Sequence, residues 1–234
     1  MKIGVPREIK VHEYRVGITP AGVHELVSNG HQVCIERAAG ERIGFSDNDY
    51  RAAGATIENK AERIWRSSEL VVKVKEPQPQ EIPLLSAQQT LFTYLHLAAS
   101  KSLTLDLLAT GCTAIAYETV TDKHGRLPLL APMSEIAGRM ATQAGAHYLE
   151  IPQGGRGVLL GGATGVAPAQ VVVIGAGVVG RNAARIAAGM GAQVFLLDQS
   201  IDALRAAEIE LAGRVQCRMA TAALTRQLCR EADL

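Results

Sequence analysis

A glycine pattern between two apolar runs constrains this chain more than any other feature. Residues 171–174 (VVVI) form an apolar run that predicts a buried parallel strand. Gly175, Gly177 and Gly180 follow in the spacing G-x-G-x-x-G, and the next residues continue at helical spacing. The first glycine permits a tight turn, the second lets the main chain approach a pyrophosphate, and the third lets the helix pack on the strand.

A carboxylate stands where such a unit would need one. The second apolar run, residues 193–197, ends at Asp198, which is 23 positions after Gly175. An acidic residue there accepts hydrogen bonds from the adenosine ribose hydroxyls. Strand, glycines, helix, strand and terminal acid together predict dinucleotide binding, and the alternative is a βαβ unit that binds no ligand.

The nucleotide-binding part looks incomplete. Only 64 residues run from Val171 to Leu234, whereas a six-stranded nucleotide domain needs roughly 120–150. Residues 231–234 resemble the start of a fourth strand. We therefore expect residues 171–174 to form an open sheet edge that promotes aggregation.

The composition fits an α/β protein and argues against several other classes. Lys and Arg number 24 against 23 Asp and Glu, which argues against a nucleic acid or anionic membrane partner. The four cysteines show no C-x-x-C spacing and no signal peptide is recognisable, so we expect reduced thiols, no metal site and a cytoplasmic protein. The uncharged stretch 157–180 contains seven glycines and a proline, which favours loop and strand over a membrane helix.

Short apolar runs alternate with helical stretches over the first 120 residues. Strands are predicted at 2–5, 32–36, 70–75, 90–96 and 113–118, and helices at 20–29, 46–54, 61–67 and 103–109. Thr19 and the Ser46/Asp49 pair fit helix caps. A break at 128–132 precedes a long amphipathic helix at 133–150. We predict an α/β fold with two parallel-sheet, Rossmann-like domains, residues 1–128 and 129–234, joined by that helix, the second domain being incomplete.

Reactive side chains are expected beyond the carboxyl ends of the strands. Lys75, His96 and Glu118 end three predicted strands, and Arg7 and Arg15 follow the first. Arginine can hold a carboxylate through two hydrogen bonds, lysine can polarise an oxygen, and histidine can move a proton near neutral pH. The set suits a small carboxylate substrate, although each residue alone could be a solvated strand end or an ion-pair partner.

Several longer motifs closely resemble bacterial NAD-dependent alanine dehydrogenases. They run in order over the whole chain: MKIGVPREIK, YRVGITPAGV, GFSDNDYRAAGA, LVVKVKEP, LFTYLHLAA, TAIAYETV, LPLLAPMSEIAGRMA, HYLE, GGRGVLLGG and VVVIGAGVVG. The resemblance implies oxidative deamination of L-alanine to pyruvate and ammonium, with a hydride passing to NAD, and a tendency to form hexamers.

The same resemblance implies roles for individual residues. Arg15 and Lys75 would bind the substrate, and His96 would be the acid/base. Ser134 and Asp198 would contact NAD. The main chain around Val178 would hold the phosphates of NAD.

Some features depart from the family pattern. The resemblance implies that family members are longer chains. Their C-terminal part would complete the nucleotide domain and supply a catalytic aspartate. Ala203 and Ala220 replace a basic residue and a serine that are common in the family. We therefore predict a truncated chain with little or no activity alone. The alternatives are a protein like the NAD-binding subunit of transhydrogenase, or a non-catalytic nucleotide-binding fragment.

Overall fold

The computed structural model describes residues 1–234, which form two compact units, Met1–Leu129 and Leu130–Leu234. The first unit contains β1 (Lys2–Val5), α1 (Pro20–Ser28), β2 (Gln32–Glu36), α2 (Asp47–Ala52), β3 (Thr56–Glu58), α3 (Ala61–Ser67), β4 (Leu70–Val72), β5 (Thr90–Thr93), α4 (Lys101–Thr110) and β6 (Thr113–Ala116). The second contains α5 (Ala131–Tyr148), β7 (Gln170–Ile174), α6 (Val178–Gly189), β8 (Gln193–Asp198), α7 (Ile201–Glu210), β9 (Gln216–Met219) and α8 (Ala222–Glu231). None of these helices is long and apolar enough to cross a membrane.

The first unit is built on a six-stranded, wholly parallel sheet in the order β3-β2-β1-β4-β5-β6. Its apolar strand residues are buried beneath the helices, as Val5, Ile35 and Leu91 show. The strand order reverses between β1 and β4, and ligands of such sheets bind beyond the carboxyl ends of the strands at that point. The predicted α/β class with a Rossmann-like parallel sheet is confirmed.

Local capping explains where two helices of this unit begin. The Thr19 hydroxyl accepts a hydrogen bond from the N–H of Gly22 at 3.2 Å, and Pro20 occupies the first position of α1. Ser46 and Asp49 form a reciprocal capping box at α2. Both caps were predicted from the sequence. Each stabilises its helix because it satisfies N–H groups of the first turn that have no partner within the helix.

Three strands of the first sheet end earlier than their apolar patterns indicated. The predicted strands 70–75, 90–96 and 113–118 end at residues 72, 93 and 116. Carboxylates take over N–H groups that would otherwise continue two of these strands: Glu8 accepts from Val74, and Glu118 accepts from Leu95 and His96. The sequence pattern also missed β3, a three-residue edge strand that pairs only with β2.

The second unit holds a three-stranded parallel sheet in the order β7-β8-β9. Helix α5 begins at Ala131, earlier than predicted, because Pro132 is tolerated in a first helical turn. It packs closely on α6: a Cβ at Gly138 would lie 2.2 Å from the carbonyl oxygen of Val179. The hydroxyl of Thr142 donates to the carbonyl of Ala183 at 2.9 Å.

The free edge of β7 is partly covered by the last residues of the chain. The N–H of Asp233 donates to the Gln170 carbonyl at 2.9 Å, and the N–H of Val172 donates to the Leu234 carbonyl at 2.9 Å. These bonds are of the kind that the first residues of a further strand would make. Glu231 of the predicted strand start 231–234 belongs to α8 instead, and residues 232–234 form no assigned strand. Beyond them the edge is open, and Ile174 is 63% exposed.

Candidate functional site

The glycine pattern forms the turn that connects β7 to α6. Gly175 has φ of 104°, in the left-handed region that favours glycine. A Cβ at Gly180 would lie 1.8 Å from the carbonyl oxygen of Gly175, so α6 can approach the turn only with glycine there. A Cβ at Gly177 would meet nothing within 4 Å. Packing inside the protein therefore does not require glycine at 177, whereas the approach of a pyrophosphate to the main chain would.

The start of α6 offers N–H groups to an anion. Gly177 is its N-cap residue, and no side chain caps the N–H groups of the first turn, which begins at Val178. A cavity of about 560 Å³ lies over the turn and over β7. Five of the six predicted cofactor residues line it: Ser134, Gly175, Gly177, Val178 and Gly180.

Asp198, the sixth predicted cofactor residue, ends β8 and supports the turn. Its Oδ2 accepts the N–H of Ala176 at 2.6 Å, and its Oδ1 accepts the N–H of Ser200 at 2.7 Å. These main-chain hydrogen bonds, that from Ala176 first, lower the pKa of Asp198. Both oxygens of the ionised carboxylate have further acceptor positions, which could accept hydrogen bonds from ribose hydroxyls. The glycine turn, the α6 N-terminus and Asp198 therefore fit a dinucleotide.

In the first unit, Arg15 and Lys75 both interact with Glu13. Arg15 donates from Nε to Glu13 Oε1 at 2.8 Å and from Nη2 to Oε2 at 2.6 Å. Burial alone would raise the pKa of Glu13, but the hydrogen bonds and charge of Arg15, together with the charge of Lys75, lower it. Glu13 is therefore ion-paired with Arg15, and the charge of Lys75 is near enough to act on the same carboxylate. A substrate carboxylate would have to share the guanidinium of Arg15 with Glu13.

His96 follows β5 in a strained main-chain conformation. Its φ of 51° is left-handed, and it is the N-cap residue of a 3-10 turn over Leu97–Ala99. The N–H of His96 donates to Glu118 Oε1 at 2.7 Å. Burial favours a higher pKa for Glu118, but the hydrogen bonds from His96 and Leu95 outweigh it and lower the pKa. Glu118 therefore holds the main chain of His96 as an ionised acceptor.

Tyr94 packs against His96 and lies within the electrostatic influence of Arg15, and it was not predicted from the sequence. Its ring stacks on that of His96, with centroids 6.2 Å apart. Burial raises the pKa of Tyr94, while the nearby charge of Arg15 opposes the rise. Tyr94 lies two residues before His96 in the sequence, and this short spacing was the only sequence signal that could have indicated their contact. Glu13, also missed, has the same spacing from Arg15.

One cavity of the first unit contains Arg15 but not every predicted substrate residue. Its volume is about 520 Å³ and it is formed by residues 7–15 and by residues around 38–42. Arg15 lines this cavity, whereas Lys75 and His96 do not. Arg7 lines it too, but its N–H donates to Glu36 Oε2 at 2.8 Å and its side chain lies 3.9 Å from the same carboxylate. No group of three or more His, Cys, Asp or Glu side chains is arranged to hold a metal ion.

Comparison with known proteins extends over the whole chain. The family model described as "Alanine dehydrogenase/PNT, N-terminal domain" matches residues 4–137, and "Alanine dehydrogenase/PNT, C-terminal domain" matches residues 141–234. The alanine dehydrogenases of Halomonas elongata and Mycolicibacterium smegmatis are 58% and 55% identical over all 234 residues. The chain spans 63% of the length of each of these relatives.

Solved structures agree with the sequence comparison. An L-alanine dehydrogenase superposes with a TM-score of 0.92 at 51% identity, over 99% of this chain and 64% of its own. A transhydrogenase from Sinorhizobium meliloti superposes with a TM-score of 0.80 over 99% of this chain and 68% of its own, but at 22% identity it shows the fold alone. Since one family model covers more than half of the residues, the chain belongs to the alanine dehydrogenase/PNT family.

Proposed function

We propose that this chain carries the substrate-binding and nucleotide-binding elements of an alanine dehydrogenase, which interconverts L-alanine with pyruvate and ammonium. The observation that carries the proposal is that Lys75 and His96 follow the ends of the neighbouring strands β4 and β5. The Glu13 carboxylate that Arg15 binds also lies within the electrostatic influence of Lys75. The high identity to curated alanine dehydrogenases supports the choice of substrate.

The chemistry of these side chains suits a small amino or keto acid. Arg15 and Lys75 bind the substrate carboxylate and polarise the carbonyl oxygen. His96 moves the proton, since imidazole titrates near neutral pH. Glu118 fixes the main chain of His96 and so sets where the ring can reach. A bound nicotinamide cofactor would supply the hydride acceptor.

We further propose that the cofactor is NAD rather than NADP. Main-chain N–H groups around Gly177 and Val178 would hold the pyrophosphate, and Ser134 lines the same cavity. Asp198 would accept the adenosine ribose hydroxyls, and its negative charge would repel a 2′-phosphate.

The cofactor proposal can be tested by calorimetric titration with NAD and with NADP. We expect NAD to bind and NADP to bind more weakly, with Asp198→Asn reducing this difference. Asp202→Asn is the matched control, because it removes an exposed carboxylate of α7 in the same unit. Equal affinity of the parent chain for both nucleotides, or equal effects of the two substitutions, would contradict the role of Asp198.

We expect the 234-residue polypeptide to bind NAD but to turn over slowly. Its second sheet has three strands, and the nicotinamide half of a Rossmann site is normally built on the other half of such a sheet. The assay is NADH formation from L-alanine, where a rate near the roughly 10 s⁻¹ typical of enzymes would contradict the expectation. Cofactor turnover without any dependence on L-alanine would favour the transhydrogenase-like alternative, and nucleotide binding without pyruvate binding would favour a non-catalytic fragment. The hexamer implied by the resemblance stays a prediction that sedimentation analysis can test.

A further inference from the structure

Both main-chain groups of Lys75 are bonded to side chains rather than to a neighbouring strand. Its N–H donates to Glu8 Oε1 at 3.4 Å, and the N–H of Val74 donates to the same oxygen at 2.7 Å. On the other side, the hydroxyl of Thr93 donates to the Lys75 carbonyl at 2.8 Å. Thr93 is fully buried at the end of β5. The peptide that carries Lys75 is therefore held from two directions, just beyond the end of β4.

The Glu8 side of this arrangement is itself fixed by a buried charge network. Glu8 Oε2 accepts from Lys73 Nζ at 3.3 Å, and Lys73 also donates to Glu81 Oε1 at 2.9 Å. The three side chains are 0–5% exposed. Glu81 Oε2 in turn accepts the N–H of Gln78 at 2.7 Å. The N–H of Tyr94 also donates to the Val74 carbonyl at 3.2 Å, so the peptide before Lys75 is held by the residue that follows β5 as well as by Glu8. On the other side of Lys75, the hydroxyl of Thr93 is the side-chain contact that holds its carbonyl.

We propose that Thr93 is a positioning residue for Lys75, acting through the Lys75 carbonyl. The ammonium of lysine sits on a long flexible stem, so the direction of its main chain decides which atoms it can reach. The charge of Lys75 is near enough to lower the pKa of Glu13, which is hydrogen-bonded to Arg15, so a substrate carboxylate bound there would face both cations. A small rotation of the Lys75 peptide would move its ammonium away from this pair. The inference rests on the proposed role of Lys75 in substrate binding.

The test is a double-mutant cycle read by pyruvate titration of the 234-residue chain. Thr93→Val keeps the shape of the side chain but removes the donor, whereas Thr93→Ser keeps the donor. We expect Thr93→Val to weaken pyruvate binding about threefold to tenfold, the equivalent of one lost hydrogen bond, and Thr93→Ser to bind like the parent. In a Lys75→Ala background, Thr93→Val should have no further effect.

Two results would overturn the proposal. One is unchanged pyruvate affinity in Thr93→Val. The other is the same loss of affinity with and without Lys75, which would show that Thr93 acts on general packing.

A second measurement does not depend on the substrate. Competitive acetylation read by mass spectrometry should show a faster reaction of Lys75 in Thr93→Val but not in Thr93→Ser, with exposed Lys101 as the internal standard. If the parent chain and Lys75→Ala fail equally to bind pyruvate, the proposed substrate role is wrong, and the acetylation rates then decide the positioning role alone. An unchanged acetylation rate of Lys75 in Thr93→Val would refute the positioning role of Thr93.

Discussion

Replacing Lys73 by methionine should destabilise this protein strongly, and by an amount that depends on pH. Lys73 is fully buried and its ammonium pairs with Glu8 and Glu81, whose side chains are 3% and 5% exposed. Removing one partner of such a group leaves uncompensated buried charge, which costs about 3–5 kcal/mol, whereas a surface pair contributes about 0–1 kcal/mol. We therefore expect Lys73→Met to lower the free energy of unfolding by about 3–5 kcal/mol near neutral pH.

The pH dependence follows from Glu81. Burial raises its pKa above the ordinary 4.5, although the charge of Lys73 opposes the rise. A raised carboxyl pKa means that the folded state binds the proton more readily, so its contribution to stability is present at acid pH and lost as pH rises through the folded-state pKa. Without Lys73 the pKa of Glu81 rises further. The difference in stability between the variant and the parent should therefore shrink as pH falls from 7.5 toward 5.

Urea denaturation of both chains at several pH values measures this difference. Arg66→Met is the matched control, because Arg66 pairs with Glu62 at 3.0 Å on an exposed face of α3 and should cost little at any pH. A cost for Lys73→Met below about 1 kcal/mol, or a cost that does not change between pH 7.5 and 5, would refute the reasoning from buried charge.

Four further substitutions test three separate parts of the structure. Gly180→Ala should destabilise the protein by about 1–3 kcal/mol and abolish NAD binding, because its Cβ would meet a main-chain oxygen, whereas Gly177→Ala should weaken NAD binding in calorimetry without lowering the melting temperature. Ser46→Ala should cost about 1 kcal/mol in urea denaturation, because it removes half of the capping box with Asp49. Ile174→Lys should reduce aggregation in light scattering at an unchanged melting temperature, because the side chain lies on an open sheet edge.

The sequence predicted the class of fold and most elements because their signals are local. Apolar runs marked seven of the nine strands, all but β3 and β9, and Thr19 and the Ser46/Asp49 pair marked helix starts. The ends of β4 and β5 could not be predicted in this way. They are set by Glu8 and Glu118, which take main-chain N–H groups 66 and 23 residues away in sequence. No local pattern reveals such long-range acceptors.

The candidate site also combines residues that the sequence indicated with residues that it did not. The rule that reactive residues follow parallel strands selected Lys75 and His96 as candidates, and the glycine spacing predicted the turn at 175–180. The rule did not find Glu13 and Tyr94, because their importance comes from which side chains they touch after folding. The sequence also left Arg15 open between a ligand-binding residue and an ion-pair partner. The structure shows the ion pair with Glu13, and the binding role remains a proposal.

The left-handed main chain at His96 has a consequence for anyone engineering this protein. A residue with a side chain held at a φ of 51° costs of order 1–3 kcal/mol, and glycine avoids that cost. A library selected only for heat tolerance would thus tend to discard the imidazole and enrich glycine at position 96. Selection for heat tolerance and the proposed acid/base role of His96 would therefore favour different residues at this position.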